Sequence, residues 1–207
     1  MRVNIQLNEC ELLGKGAEGS VYLTPEGYAL KVFNNTKGAD DEALILNKVG
    51  NSRFFPRIIV QISNLIVREC VQGINLYEYI AKNGLSENLA FEIIEFVENL
   101  KEVGFTRINI RNAHIFIDRN EKLMIIDPRK AFEKITPYPK DIIKILLKNQ
   151  CYDEFLSYVT QYDFKLISYW IKGYEYVANS NKISRYEGKK NKNRYRKKLR
   201  KNQSLET

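Results

Sequence analysis

Histidine and cysteine are nearly missing from this chain. A single histidine, His114, stands among 207 residues, which excludes any site that needs two imidazoles and most zinc chemistry. Cys10, Cys70 and Cys151 are odd in number and at least 60 positions apart, so neither a disulfide framework nor a CxxC metal knot is available. Long apolar runs are also lacking. None approaches the about 18 residues that a membrane span requires, so no span is expected. The start, Met1-Arg2-Val3-Asn4-Ile5-Gln6, alternates polar with apolar residues and lacks the apolar core of a secretory leader. The expectation is a cytoplasmic protein.

What is present suffices for a packed core: 44% of residues are hydrophobic and 28% charged, near the globular average. The length fits one domain, or one domain with a small extra lobe. A net charge of +8 invites a nucleic-acid reading, but the excess is confined to one end. Residues 185–207 carry ten basic and two acidic side chains, and taking these from totals of 33 and 25 leaves 23 of each in residues 1–184. The body is neutral. The tail, polar and basic from about Ser184, is expected to be largely disordered and solubilising, with nucleic acid or an acidic surface as an alternative partner.

Residues 3–33 read as β-structure: Val3, Ile5 and Leu7 alternate, Val21–Leu23 resumes the pattern, and Pro25-Glu26-Gly27 turns into Tyr28–Phe33. A helix is predicted over 39–49, then strands at Ile58–Ile62 and Leu65–Val71, with a short helix at Leu76–Ala81. Ser86-Glu87-Asn88 leads into a strong amphipathic helix at Leu89–Val103. Short strands are predicted at His114–Ile117 and Leu123–Ile126, and helices over 140–148, 151–161 and 164–178. The aromatic residues of these late helices, Tyr152 to Tyr176, have the spacing of a core-facing stripe rather than of a ligand cage.

Chemistry concentrates first in Gly14-Lys15-Gly16-Ala17-Glu18-Gly19-Ser20-Val21, a GxGxxGxV pattern. A dinucleotide loop opens a helix, whereas here strand residues continue on both sides, and the Gly-Lys-Ser/Thr ending of an NTPase loop is absent. A glycine hairpin lying over phosphates fits better, because glycine lets backbone N–H groups approach the oxygens. Ten residues past Val21, Ala29-Leu30-Lys31-Val32 puts a lysine in an apolar strand. Such a lysine needs an anionic partner.

With this hairpin and strand lysine, the chain resembles the eukaryotic-type protein kinases, and in particular small atypical bacterial serine/threonine kinases. The resemblance implies an α+β, two-lobed kinase-like fold: a five-stranded N-lobe over about 1–70, a hinge near 69–76 and a reduced helical C-lobe over 77–184. It implies ATP and Mg²⁺ (or Mn²⁺) as cofactors. Gly14, Lys15, Gly16, Ala17, Glu18, Gly19 and Val21 would cover the phosphates, and Lys31 would hold them, paired with Glu42. A solvated helix-start acid is the alternative for Glu42, with Asp40 and Asp41 as neighbours competing for the lysine. Backbone at Glu69 and Val71 would meet adenine. Arg68 falls where the family has an apolar residue.

The family's H-R-D-L-x-x-x-N segment corresponds to Arg107-Ile108-Asn109-Ile110-Arg111-Asn112-Ala113-His114. Asn109 takes the place of the general base; an amide can orient a hydroxyl but cannot accept its proton. Arg111 takes the place of a lysine that touches the transferring phosphate, or is simply solvated. His114 takes the place of the metal-binding asparagine, with a histidine packed near the core as the alternative. Asp127, in Asp127-Pro128-Arg129, matches the metal-binding aspartate. About a dozen residues separate Asp127 from the helix near Asp141, too few for a phosphorylatable activation segment. The reading is therefore ATP- and Mg²⁺-dependent phosphoryl transfer to serine or threonine of a protein. A pseudokinase that binds nucleotide or docks a protein is the main alternative, and a small-molecule kinase the further one.

Overall fold

The computed structural model describes residues 6–128 and 130–180. The expectations for Val3, Ile5, Arg129 and the basic segment 185–207 fall outside the described residues. The described residues separate into two compact units, with those up to Ile74 and from His114 to Ala131 in the first, and those from Asn75 to Ala113 and from Phe132 onward in the second.

The first unit is built on a five-stranded antiparallel sheet of β1 (Glu11–Gly16), β2 (Gly19–Leu23), β3 (Tyr28–Phe33), β4 (Ile58–Ile62) and β5 (Leu65–Glu69), in the order β1-β2-β3-β5-β4. Leu7 does not extend the alternation of β1. It lies exposed in a 3-10 turn, Leu7–Glu9. The turn between β2 and β3 closes through Gly27, at φ 84°, and through the Tyr28 N–H, which donates to Thr24 Oγ1 at 3.2 Å.

Helix α1 (Thr36–Val49) starts three residues before the predicted 39, because Asn35 caps it. The Asn35 Oδ1 accepts from the Gly38 N–H at 2.9 Å, satisfying a donor that would otherwise be orphaned. Ala39 and Ala43 on α1 pack with Phe33 and Ile66 of the sheet in a buried cluster. A hairpin of β7 (Ile115–Ile117) and β8 (Leu123–Ile125) belongs to this unit, tied to it by the Ile125 N–H donating to Phe54 O at 2.8 Å. His114, predicted to start that strand, instead ends a 3-10 turn at Asn112–His114. The chain passes between the units inside β6 (Ile74–Asn75), the first strand of a small sheet ordered β6-β7-β8.

The second unit holds α2 (Leu76–Asn83), α3 (Glu87–Glu102), α4 (Lys140–Lys148), α5 (Tyr152–Asp163) and α6 (Ile167–Ser180). Ser86 caps α3, accepting from the Leu89 N–H at 3.0 Å. Leu89, Ile93, Phe96 and Leu100 of α3, Ile143 and Leu146 of α4, Phe155 of α5 and Trp170 of α6 are buried. The Trp170 and Phe155 rings meet edge to face at 4.6 Å. The aromatic stripe is core only in part: Tyr152, Phe155, Trp170 and Tyr174 are buried, but Tyr162 and Phe164 are 40% and 50% exposed. The predicted helix 164–178 begins instead with a 3-10 turn, Phe164–Leu166, which carries the exposed Phe164, while Tyr162, in the last turns of α5, meets the Phe91 ring edge-on at 5.3 Å. Among the described residues no helix is long and apolar enough to cross a membrane.

Candidate functional site

In the first unit the glycine hairpin forms as the pattern predicts, but its glycines differ in what they serve. At Gly19 a Cβ would sit 2.0 Å from Val32 O, so glycine is demanded there by the β2–β3 approach. At Gly14 and Gly16 a Cβ would meet nothing within 4 Å, and neither has a positive φ. Packing within the chain does not explain those two glycines, and the bare space over the backbone is what a phosphate needs. The hairpin tip is held down by Asn34, which was not foreseen from the sequence: its N–H donates to Glu18 O at 2.8 Å and its Nδ2 to Ala17 O at 2.9 Å.

Next to β2 in the sheet, Lys31 is buried, and its ammonium donates to Glu42 Oε2. The competing acids are engaged elsewhere. Asp40 accepts from Gln61 Nε2 at 2.7 Å, and exposed Asp41 from Lys37 at 2.6 Å. Helical phase decides the matter: Glu42 falls on the inward face of α1 with Ala39, Ala43 and Leu46. Burial pushes the Glu42 carboxyl above its usual range. Lys31 and then Arg68 pull it back down, and the charge of Asp127 adds to the rise. Lys31 Nζ also lies 4.5 Å from the centre of the Phe33 ring.

Arg68 is equally buried, and its Nε lies 3.7 Å from Glu42 Oε1. The signal for it was available in the sequence. A charged residue after Leu65-Ile66-Val67 obeys the same rule that singled out Lys31. Next to it, Glu69 is locked by Arg57, whose Nε and Nη2 donate to Oε1 at 2.8 and 2.6 Å. That pairing holds the Glu69 carboxyl below its ordinary value. The Glu69 N–H donates to Arg57 O at 3.0 Å, and Val71 follows, half-buried, beyond the strand.

Asp127 and His114 are brought together at the β7–β8 end of this unit. The Ile126 N–H donates to His114 O at 3.1 Å, which sets the two residues on adjoining stretches of backbone. Both are half-buried. No group of three or more His, Cys, Asp and Glu side chains able to hold a metal occurs among the described residues. Of the two, only the Asp127 carboxylate offers the oxygen ligand that Mg²⁺ would take, an ion that keeps several waters and draws its remaining oxygens from substrate phosphates. The imidazole is the softer member and would be more at home with Mn²⁺.

In the second unit Asn109 is buried. Its Oδ1 accepts from the Asp141 N–H at 2.8 Å, so it helps to cap α4 in place of Pro139, which makes no side-chain cap. Asp141 Oδ2 accepts from the Asn112 N–H at 3.4 Å, and the Asn109 N–H reaches Thr136 Oγ1 at 3.3 Å. Thr136 and Asp141 were not foreseen, since the bracing of 109–112 by 136–141 is a long-range contact. Arg111 is exposed.

No family model matches the chain. Over 132 residues the chain is 26% identical to a protein of Bacillus subtilis (strain 168) named "Putative serine/threonine-protein kinase YrzF", with 61% of each chain covered. The likeness thus spans about three fifths of that relative's length, and it is distant.

Proposed function

We propose that the chain is a kinase-like phosphotransferase that uses ATP and Mg²⁺, with serine or threonine of a protein as acceptor. The observation that carries this reading is the buried Lys31–Glu42 pair, two strands in from β1, the strand on which Gly14 and Gly16 leave Cβ space open. A lysine donates three hydrogen bonds, and one to Glu42 leaves two for phosphate oxygens. The distant likeness to a protein named as a kinase supports the reading.

Within it, Lys31 binds and orients the phosphates and Glu42 fixes the ammonium. Asp127 and His114 would hold the metal, which supplies charge neutralisation at the phosphates. The acceptor oxygen forms a bond to the γ-phosphorus as the bond to the β-phosphate oxygen breaks and ADP leaves. Because that transition state is loose, positioning and electrostatics do most of the work. The acceptor proton can pass late to a phosphoryl oxygen, so an amide in place of a base at Asn109 does not bar this reading.

One observation favours a second reading, a pseudokinase that binds nucleotide without turnover. The Asn109 carbonyl is already spent on the Asp141 N–H. The deciding experiment has two stages. Titration of ATP with Mg²⁺ should raise the melting temperature of the protein but not of Lys31→Ala; no shift in the wild type would sink both readings. Single-turnover incubation with γ-labelled ATP should then move label to protein, and Asp127→Asn should abolish the transfer. Binding with no label moved to protein or to any low-mass product would favour the pseudokinase.

A further inference from the structure

Acidic side chains gather on two packed helices of the second unit, α3 and α5. α3 carries five of them and α5 three, against a single basic residue, Lys101, which donates to Glu98 at 2.6 Å. Glu87, Asp153 and Glu154 lie in first turns, where the helix dipole favours a carboxylate. Glu98 and Glu102 lie in the last turns of α3, and Asp163 ends α5. There the dipole opposes them. Asp163 has a structural use, since its Oδ1 accepts from the Lys165 N–H at 2.9 Å.

Phe91, Glu95, Glu98 and Glu102 follow one another at four-, three- and four-residue steps, so they form one stripe along α3. Tyr162 of α5 meets that stripe at the Phe91 ring. Burial raises the Tyr162 phenol above its ordinary value, and the charges of Glu95, Glu98, Asp163 and Glu102 add to the rise. The ring is nonetheless exposed, and so is Phe164 beyond it. Aromatic rings among carboxylates suit lysine and arginine, whose charge and aliphatic stem both find a partner there.

The charge that complements this face is in the chain itself. Residues 185–207 hold ten basic and two acidic side chains. α6 ends at Ser180, thirteen residues past Ile167, which is about 20 Å along its axis. The nine residues 181–189 can extend to about 30 Å, so the chain from Lys189 onward reaches back to the turn that holds Phe164. Tethering sets an effective concentration on the order of millimolar, which favours this segment over a free basic partner. We propose that Glu95, Glu98 and Glu102 of α3, with Tyr162, Asp163 and Phe164, form the docking surface for the basic segment 185–207 of the same chain. The docking does not depend on the nucleotide-binding reading and uses none of its residues.

Two measurements on the full chain test this. A carbodiimide joins a lysine amine to a carboxylate it touches, forming an amide as the reagent takes up water. In a mixture of unlabelled and isotope-labelled chains, links from the lysines of 185–207 should go mainly to Glu95, Glu98, Glu102 and Asp163 of the same chain. They should drop several-fold between about 0.1 M and about 1 M salt, as the screening length falls from about 10 to about 3 Å. Links chiefly to other carboxylates, or none at all, would overturn the proposal. Links chiefly between differently labelled chains would also overturn it and give the segment to a second copy. So would the absence of links to the face in a chain that captures an oligouridine, which would assign the segment to nucleic acid. In the second measurement, trypsin should cut within 185–207 several-fold faster in Glu95→Gln/Glu98→Gln/Glu102→Gln than in wild type, and no faster in Glu78→Gln/Glu133→Gln. Equal cutting in the folded triple variant would overturn the proposal. If that variant does not fold, Glu102→Gln/Asp163→Asn takes its place with the same expectations.

Discussion

Asn109 Oδ1 accepts a hydrogen bond from the Asp141 N–H at 2.8 Å, joining a loop to the first turn of a helix 32 residues further on. The contact makes Asn109 a structural cap for α4 whatever else it does. Replacement by alanine should cost about 1–2 kcal/mol, the value of a lost cap, read as a lower midpoint in urea unfolding. Asn109→Asp keeps an acceptor for the same N–H and should stay near wild-type stability. It also adds a proton acceptor where the kinase resemblance places one, so single-turnover label transfer should rise. A rate unchanged in a stable Asn109→Asp would show that the acceptor hydroxyl does not sit against residue 109.

Glycines of the hairpin, with Gly73 before β6 as a comparison, should separate stability from binding. Gly19→Ala and Gly73→Ala force a Cβ to 2.0 Å from Val32 O and 2.1 Å from Ile117 O, at backbone carbonyls that cannot step aside. Both should melt well below wild type. Gly14→Ala and Gly16→Ala enter open space and should leave the melting temperature nearly unchanged, while weakening ATP by at least several-fold. Equal ATP affinity in the double variant would mean that the open space over β1 does not serve the ligand.

Asp127→Asn should remove the contribution of Mg²⁺ to ATP binding and spare binding measured in EDTA, since Lys31 and the hairpin are untouched. Calorimetry with and without metal reads the difference. A metal enhancement that survives the substitution would place the cation elsewhere.

The Arg57–Glu69 pair gives a pH dependence whose sign follows from the lowered Glu69 carboxyl. A depressed acid binds its proton more weakly folded than unfolded, so its stabilisation is complete above the ordinary value of 4.5 and is lost as pH falls through the lowered one. Arg57 is largely exposed, so solvent screens the pair, and its contribution is small and shrinks further in salt. Arg57→Leu should flatten the fall in stability below pH 4.5; an unchanged slope would assign it to other carboxylates.

Local rules served well where one residue's surroundings lie within a few positions of it. The β2–β3 turn, α3 with its Ser86 cap, and α4 at 140–148 follow from turn chemistry, capping and period. Leu7, the 3-10 break at Phe164 and the exposure of Tyr162 escaped the same rules, since exposure is set by how far the rest of the fold covers a side chain, and Tyr162 stays exposed even with the Phe91 ring against it. Among the functional candidates, Lys31 was legible because an ammonium inside an apolar strand is costly unless paired. Arg68 carried the same signal.

The amino-acid sequence by itself determined the mixed α+β class, the placing of the charge excess in 185–207 and the demand for an anion beside Lys31, because periodicity, composition and desolvation act at short range. Only the tertiary structure decided which anion it is. Glu42 meets Lys31, and Asp40 and Asp41 do not, because the phase of α1 against the sheet turns one carboxylate inward and leaves two in solvent. The same packing set Arg68 opposite the second oxygen of Glu42, a pairing of three elements that no stretch of chain contains.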